Sequence, residues 1–213
     1  LKSILFEVKK DQITVLPNPN LESKFPYLWY HKINILPAFS VGHFIGYLGS
    51  LAGVSTNEDR IEGNNIVMAS DAGEDGVQTI HIVLNYYGIR DYALLFPWIT
   101  DLKLRTRVGA FYEEAEKSFE QGVWLSFALM CGAVFEGMLY AKLKATDELN
   151  LNGMIIQAVS EGLIDDHQAN IMHMVRRMRN LVHGSQYNKR YISRKDAMDI
   201  SSLLIDLVKH FSY

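Results

Sequence analysis

The chain has 213 residues, 48% hydrophobic, 21% charged and 11% aromatic, a balance that excludes a disordered or fibrous protein and leaves room for two cores of roughly 100 residues each. A formal net charge of −3 excludes polyanion binding through overall charge, so any nucleic-acid role has to rest on a local patch. The single cysteine, Cys131, lies in the apolar run WLSFALMCGAVF, which excludes an internal disulfide and reads as a buried, inert thiol.

In chain order, residues 3–8 (SILFEV) and 12–16 (QITVL) gather β-formers on either side of the polar KKDQ and are expected to pair as a hairpin, ended by PNPN at 17–20. The aromatic FPYLWYHK that follows reads as packing. Residues 33–54 carry no Asp, Glu, Lys or Arg, which raises the question of a membrane span. Pro37 near the start, glycines at 42, 46, 49 and 53, and His43, Ser40 and Ser50 dilute the run. The reading is a buried, glycine-rich soluble helix with His43 as a hydrogen-bonded core residue. Residues 55–76 read as an acidic, solvated loop around a short apolar IVMA, and DAGEDG lacks calcium-loop spacing. VQTIHIVLNY at 77–86 alternates with period two and reads as a strand, and YALLFPWI is a further apolar run broken by Pro97. Residues 1–104 are therefore expected to be a mixed α+β domain with a small sheet. They hold 8 basic and 11 acidic residues and no catalytic constellation, and they offer a place for a regulatory protein partner or a small-molecule trigger.

From the TDLKLRT segment at 100–106, where we place the domain boundary, helical periods take over. Five helices are expected in 105–213: one over 108–121, a strongly apolar one over 122–144, a short one over 152–162, a fourth from about 167 to 183 capped by Asp165 or Asp166, and a fifth capped by Ser193. The fifth puts Ala197, Ile200, Leu204, Leu207 and Phe211 on one face. Glu136 stands out in the apolar second helix, either on its outer stripe or facing the arginines of the fourth.

The fourth helix, MHMVRRMRNLVHGS, carries the chemistry. On a helical wheel Val175, Met178, Leu181 and Val182 share a core arc, while Arg176, Arg179, Asn180 and His183 share the neighbouring one and Arg177 points elsewhere. Gly184 is placed to stop the helix in a left-handed cap just after His183. Residues 105–213 hold 13 basic and 13 acidic residues, yet between Arg176 and Lys195 there are seven cations (Arg176, Arg177, Arg179, Lys189, Arg190, Arg194, Lys195) and no Asp or Glu. With Tyr187 and Tyr191 among them, this is the makeup of a solvated surface or of a phosphate-backbone site with stacking platforms.

Five helices, GxxxxSFALMCGAVFEGML, a GLID turn and RRMRNLVHG together resemble the HEPN superfamily (higher eukaryotes and prokaryotes nucleotide-binding) over residues 105–213. Its signature is an arginine, often followed by a polar residue, with four to six residues between it and a histidine. Arg176 has six residues before His183, Arg177 five, and the Arg179–Asn180 pair sits one residue short of the usual RNxxxH. The resemblance implies a five-helix bundle that dimerises and cleaves RNA without a metal or cofactor, in a prokaryotic toxin or antiviral-defence setting. It equally admits a non-catalytic nucleotide-, RNA- or protein-binding and dimerisation module. The residue chemistry fits cleavage: His183 as base or acid, Arg176 and Arg179 on the scissile phosphate, Asn180 orienting either, and Arg177, Tyr187, Lys189, Arg190, Tyr191, Arg194 and Lys195 along the strand. One candidate histidine per chain supplies one proton-transfer group, and a homodimer would supply two. With no phosphate loop, CxxC pair, HExxH or Gly-x-Ser-x-Gly, nucleotide hydrolysis, zinc chemistry and serine esterase activity lack support. A cytoplasmic protein is expected, since no cationic-then-apolar leader opens the sequence.

Overall fold

The computed structural model describes residues 2–20, 22–34, 39–47, 59–63, 65–73, 76–145 and 149–212, and the chain divides into two compact units between Asp91 and Tyr92. Among its described residues the first is all β apart from short turns. Its strands are β1 (Lys2–Lys9), β2 (Ile13–Pro17), β3 (Trp29–Asn34), β4 (Phe39–Tyr47), β5 (Arg60–Glu62), β6 (Asn65–Ser70) and β7 (Thr79–Ile89). They form two antiparallel sheets, ordered β1-β7-β4 and β2-β3-β6-β5.

Period-two alternation explains the core. Phe6 and Val8 of β1 and Ile80, Ile82 and Leu84 of β7 are buried on one face of the first sheet, and Ile33 of β3 with Ile66 and Met68 of β6 are buried in the second. The sheets meet closely at Gly46 of β4, where an added Cβ would run into the Met68 side chain.

Four local expectations are corrected by the structure. The first two strands do not form a hairpin: a 3₁₀ turn over Lys10–Gln12 carries the chain from one sheet to the other, and β1 pairs with β7, Lys2 opposite Tyr86, while β2 pairs with β3. Nor is there a glycine-rich helix within the described part of 33–54, because β3 ends at Asn34 and 39–47 is a strand, β4; residues 35–38 and 48–54 lie outside the described residues. Gly42 falls at a register shift in the β4–β7 pairing and Gly46 at the contact between sheets, so these two glycines serve a sheet and not a helix face. His43 is exposed rather than in the core, on the outer row Ser3–Asn85–His43, where Ser3 donates to Asn85 (2.6 Å) and the Asn85 amide lies 3.0 Å from His43 Nε2. The segment read as a loop around IVMA contains β5 and β6, and Ile66, Val67, Met68 and Ala69 of β6 are core.

The second unit holds α1 (Leu102–Glu120), α2 (Trp124–Leu143), α3 (Leu151–Ser160), α4 (Asp166–Met178) and α5 (Arg194–Ser212). Local polar signals start α1, α3 and α4: Asp101 accepts from Leu104 N–H, Asn150 from Gly153 N–H, and Asp165 forms a reciprocal capping box with Gln168. The 3₁₀ turn Tyr92–Leu95 belongs with these helices; its Tyr92 hydroxyl donates to Glu116 of α1. The protein is thus α+β, with two small antiparallel sheets followed by five helices among the described residues. α2 is the central helix, with Phe127, Cys131, Val134, Phe135, Met138 and Leu139 buried against the other four. Among the described residues it is the one helix long and apolar enough to cross a membrane, and this burial accounts for much of its apolarity. The Cys131 thiol is buried, and desolvation raises its pKa strongly, as expected of an inert side chain.

Candidate nucleic-acid interface

α4 buries Ala169, Met172 and Val175. Val175 packs over Gly132 of α2, 3.2 Å from where a Cβ would stand, and one turn further along both helices Arg179 Nη1 meets Glu136 Oε2 at 3.4 Å. The two helices therefore run in the same sense at this contact, and Glu136 faces the arginine segment, one of the two positions open to it from sequence.

The α-helix stops at Met178, five residues earlier than expected. Arg179–Val182 tighten into a 3₁₀ turn, His183 is extended (φ −82°, ψ 130°), and Gly184–Gln186 form a second 3₁₀ turn. Gly184 does not adopt a left-handed cap. The physical reason is the end of the core stripe. After Val175 no residue as far as Val182 is buried: Met178 and Leu181 are only half-buried and Arg179 pairs with Glu136, so little apolar burial holds another α-turn. Leu181 is half-buried and Val182 is 55% exposed, so neither completes the core arc read from the wheel. His183 accordingly stands between two tight turns rather than in the last turn of a helix. Its backbone N–H bonds to Asn180 O and its carbonyl accepts from Gln186 N–H, while its exposed imidazole has no partner among the described residues.

The seven cations separate by environment. Arg177, Lys189, Arg194 and Lys195 are exposed and form no ion pair among the described residues. Arg176 is half-buried and its Nε is buried without a hydrogen-bond partner. Arg179 is exposed on its pair with Glu136. Arg190 is held by Asp196: its Nη2 reaches Asp196 Oδ1 at 2.9 Å and Oδ2 at 2.7 Å. Tyr187 and Tyr191, 89% and 60% exposed, flank Lys189 and Arg190 with both rings open to solvent, while Ile192 between this segment and α5 is buried. Asn180 is exposed beside Arg179.

Asp196 and His173 did not emerge from the sequence as members of this neighbourhood. Asp196 sits three residues after Ser193 and one beyond the acid-free run; the S-x-x-D spacing of a capping box is the signal that marks it. Ser193 N–H and Oγ both donate to Asp196 Oδ2, at 2.8 and 2.7 Å, and Asp196 N–H donates back to Ser193 Oγ. Burial works against this carboxylate, but the Ser193 hydrogen bonds and the Arg190 charge outweigh it and hold the pKa below the ordinary value. His173 precedes Arg176 by three residues and Arg177 by four, hence on the same side of α4. Desolvation, then the two guanidinium charges, lower its pKa, so it is a neutral imidazole at pH 7. Among the described residues no cluster of three or more His, Cys, Asp or Glu is arranged to hold a metal ion.

The fold and site together define a small α+β protein with a cationic, tyrosine-bearing edge on a five-helix unit. Compared with protein-family models, with curated proteins and with solved structures, the chain matches none.

Proposed function

We propose that the helical unit is a HEPN-like, metal-independent endoribonuclease module that binds RNA along the segment from Arg176 to Lys195 and cleaves it as a cytoplasmic homodimer. The observation that carries this reading is the exposure of His183 within a surface whose unpaired cations are Arg177, Lys189, Arg194 and Lys195. Cleavage by 2′-OH attack needs a proton acceptor near neutral pH, a donor for the leaving oxygen and cations for the charge on the phosphorane. His183 supplies one proton-transfer group, the second comes from the partner's copy, and Arg176 or Arg179 holds the phosphate. Service as a toxin or defence effector, with the β unit sensing a trigger, belongs to the same proposal.

A second reading, a non-catalytic RNA- or nucleotide-binding and dimerisation module, is favoured by one observation: no group among the described residues orients the His183 imidazole. The two readings part on total RNA incubated with wild type, His183→Ala and Arg179→Ala. Cleavage that falls about 10²-fold or more in His183→Ala supports the nuclease. Equal cleavage by wild type and His183→Ala ends that reading, and retained binding without cleavage leaves the module.

A further inference from the structure

Arg190 is the one cation of the 176–195 run whose direction is fixed by a buried group. The Asp196 side chain is 12% exposed and the Arg190 side chain 74% exposed. The arginine's hydrogen bonds, two to Asp196 and one to Ser193 Oγ at 3.3 Å, all use Nη2. Nη1 and Nε make none among the described residues. A guanidinium is a rigid planar fork whose Nη2 hydrogens both lie in its plane, so directing them to Asp196 and Ser193 restricts that plane and leaves the Nη1 and Nε edge open to solvent. Lys189, Arg194 and Lys195, lacking such an anchor, must give up rotamer freedom to meet a ligand.

We infer that Asp196 is a positioning residue for phosphodiester binding: it holds Arg190 so that the free edge of the guanidinium meets the RNA backbone between Tyr187 and Tyr191. This rests on the RNA-binding reading above and specifies which cation of that surface is preorganised, and by what. Arg190 is therefore not a cation lost to an internal ion pair, and a negative charge beside the polyanion surface strengthens binding rather than opposing it.

The sign of that effect supplies the test. If Asp196 acts only through its charge, Asp196→Asn must tighten RNA binding. If it positions Arg190, the same change must weaken it. Binding of a fluorescein-labelled single-stranded RNA oligonucleotide is measured over a salt series for the whole chain. Asp196→Asn and Arg190→Ala are each expected to bind about threefold to tenfold more weakly, with the salt slope reduced by about 0.7, the value of one lost contact to a single strand. Arg190→Lys, which keeps the charge and loses the fork, is expected to fall with them. Circular-dichroism melting of each variant separates guanidinium positioning from damage to the start of α5: Arg190→Ala and Arg190→Lys, which leave the Ser193–Asp196 cap in place, are expected to melt like wild type while binding more weakly. Unchanged or tighter binding by Asp196→Asn, wild-type binding by Arg190→Lys, or weaker binding only in variants whose melting temperature falls overturns the inference. Absence of salt-dependent binding by the wild type overturns the RNA reading itself, and this inference with it.

Discussion

Two carboxylates, Glu136 and Asp196, each take one arginine of the cationic segment, and their environments give them opposite roles. Glu136 and Arg179 are both about half exposed at 3.4 Å, so their pair contributes about 0–1 kcal/mol and competes with any phosphate for the same guanidinium. Glu136→Gln is therefore expected to leave thermal stability within about 1 kcal/mol and to tighten RNA binding about twofold to fivefold, as measured by titration at low salt. Asp196, buried and bonded to Ser193 as well as Arg190, contributes stability above the ordinary carboxylate pKa that is lost as pH falls through its depressed folded value. Sequence makes the arginines, His183 and the tyrosines legible, because side-chain type alone assigns their chemistry. It leaves open which cation is already paired: Glu136 is 43 residues from Arg179, and Asp196 lies just past the acid-free run. The capping signals at Asp165 and Ser193 are legible because they act over three residues.

At the scale of elements, the helices follow from their periods and caps, whereas the strands need partners that are distant in sequence. β1 pairs with a strand about 80 residues on, and no local pattern distinguishes that from a hairpin with its neighbour β2. The run containing β4 carries glycines at helical spacing, and an apolar stretch without charges has no polar face to reveal a period of two. Glycines in α2 show the opposite case, a helix whose small residues admit its neighbours. At Gly137 an added Cβ would run into Val108 Cγ2 of α1, a stiff, buried, β-branched side chain. In an open helix Gly→Ala gains about 1 kcal/mol. Here overpacking, worth about 1–3 kcal/mol, should exceed that gain. Gly137→Ala is thus expected to lower the melting temperature of the helical unit by a few degrees, and a rise would show that α1 can retreat without cost.

The molecule as a whole carries one depressed histidine in each unit, which makes its acid response separable by unit. In the β unit His31 is fully buried, with Nε2 2.8 Å from Ser70 Oγ; burial lowers its pKa, against a smaller upward pull from the backbone at Ala72. In the helical unit desolvation and the charges of Arg176 and Arg177 lower that of His173. Each imidazole binds a proton more weakly folded than unfolded, where its pKa is 6.5. The unfolded chain therefore takes up more protons as pH falls, and stability drops. Each contribution is intact well above 6.5, declines as pH passes below it, and levels off under the folded-state pKa. Amide hydrogen exchange, resolved by segment in the whole chain at about pH 7.5 and about pH 5.5 and corrected for intrinsic rates, should show lower protection at the acid end in β3 and β6 and in α4. His173→Gln is expected to abolish the acid loss in α4 while leaving that of β3 and β6, because the units have separate cores. An acid loss in α4 that survives His173→Gln would assign the proton uptake to another group and remove the field of Arg176 and Arg177 as its cause.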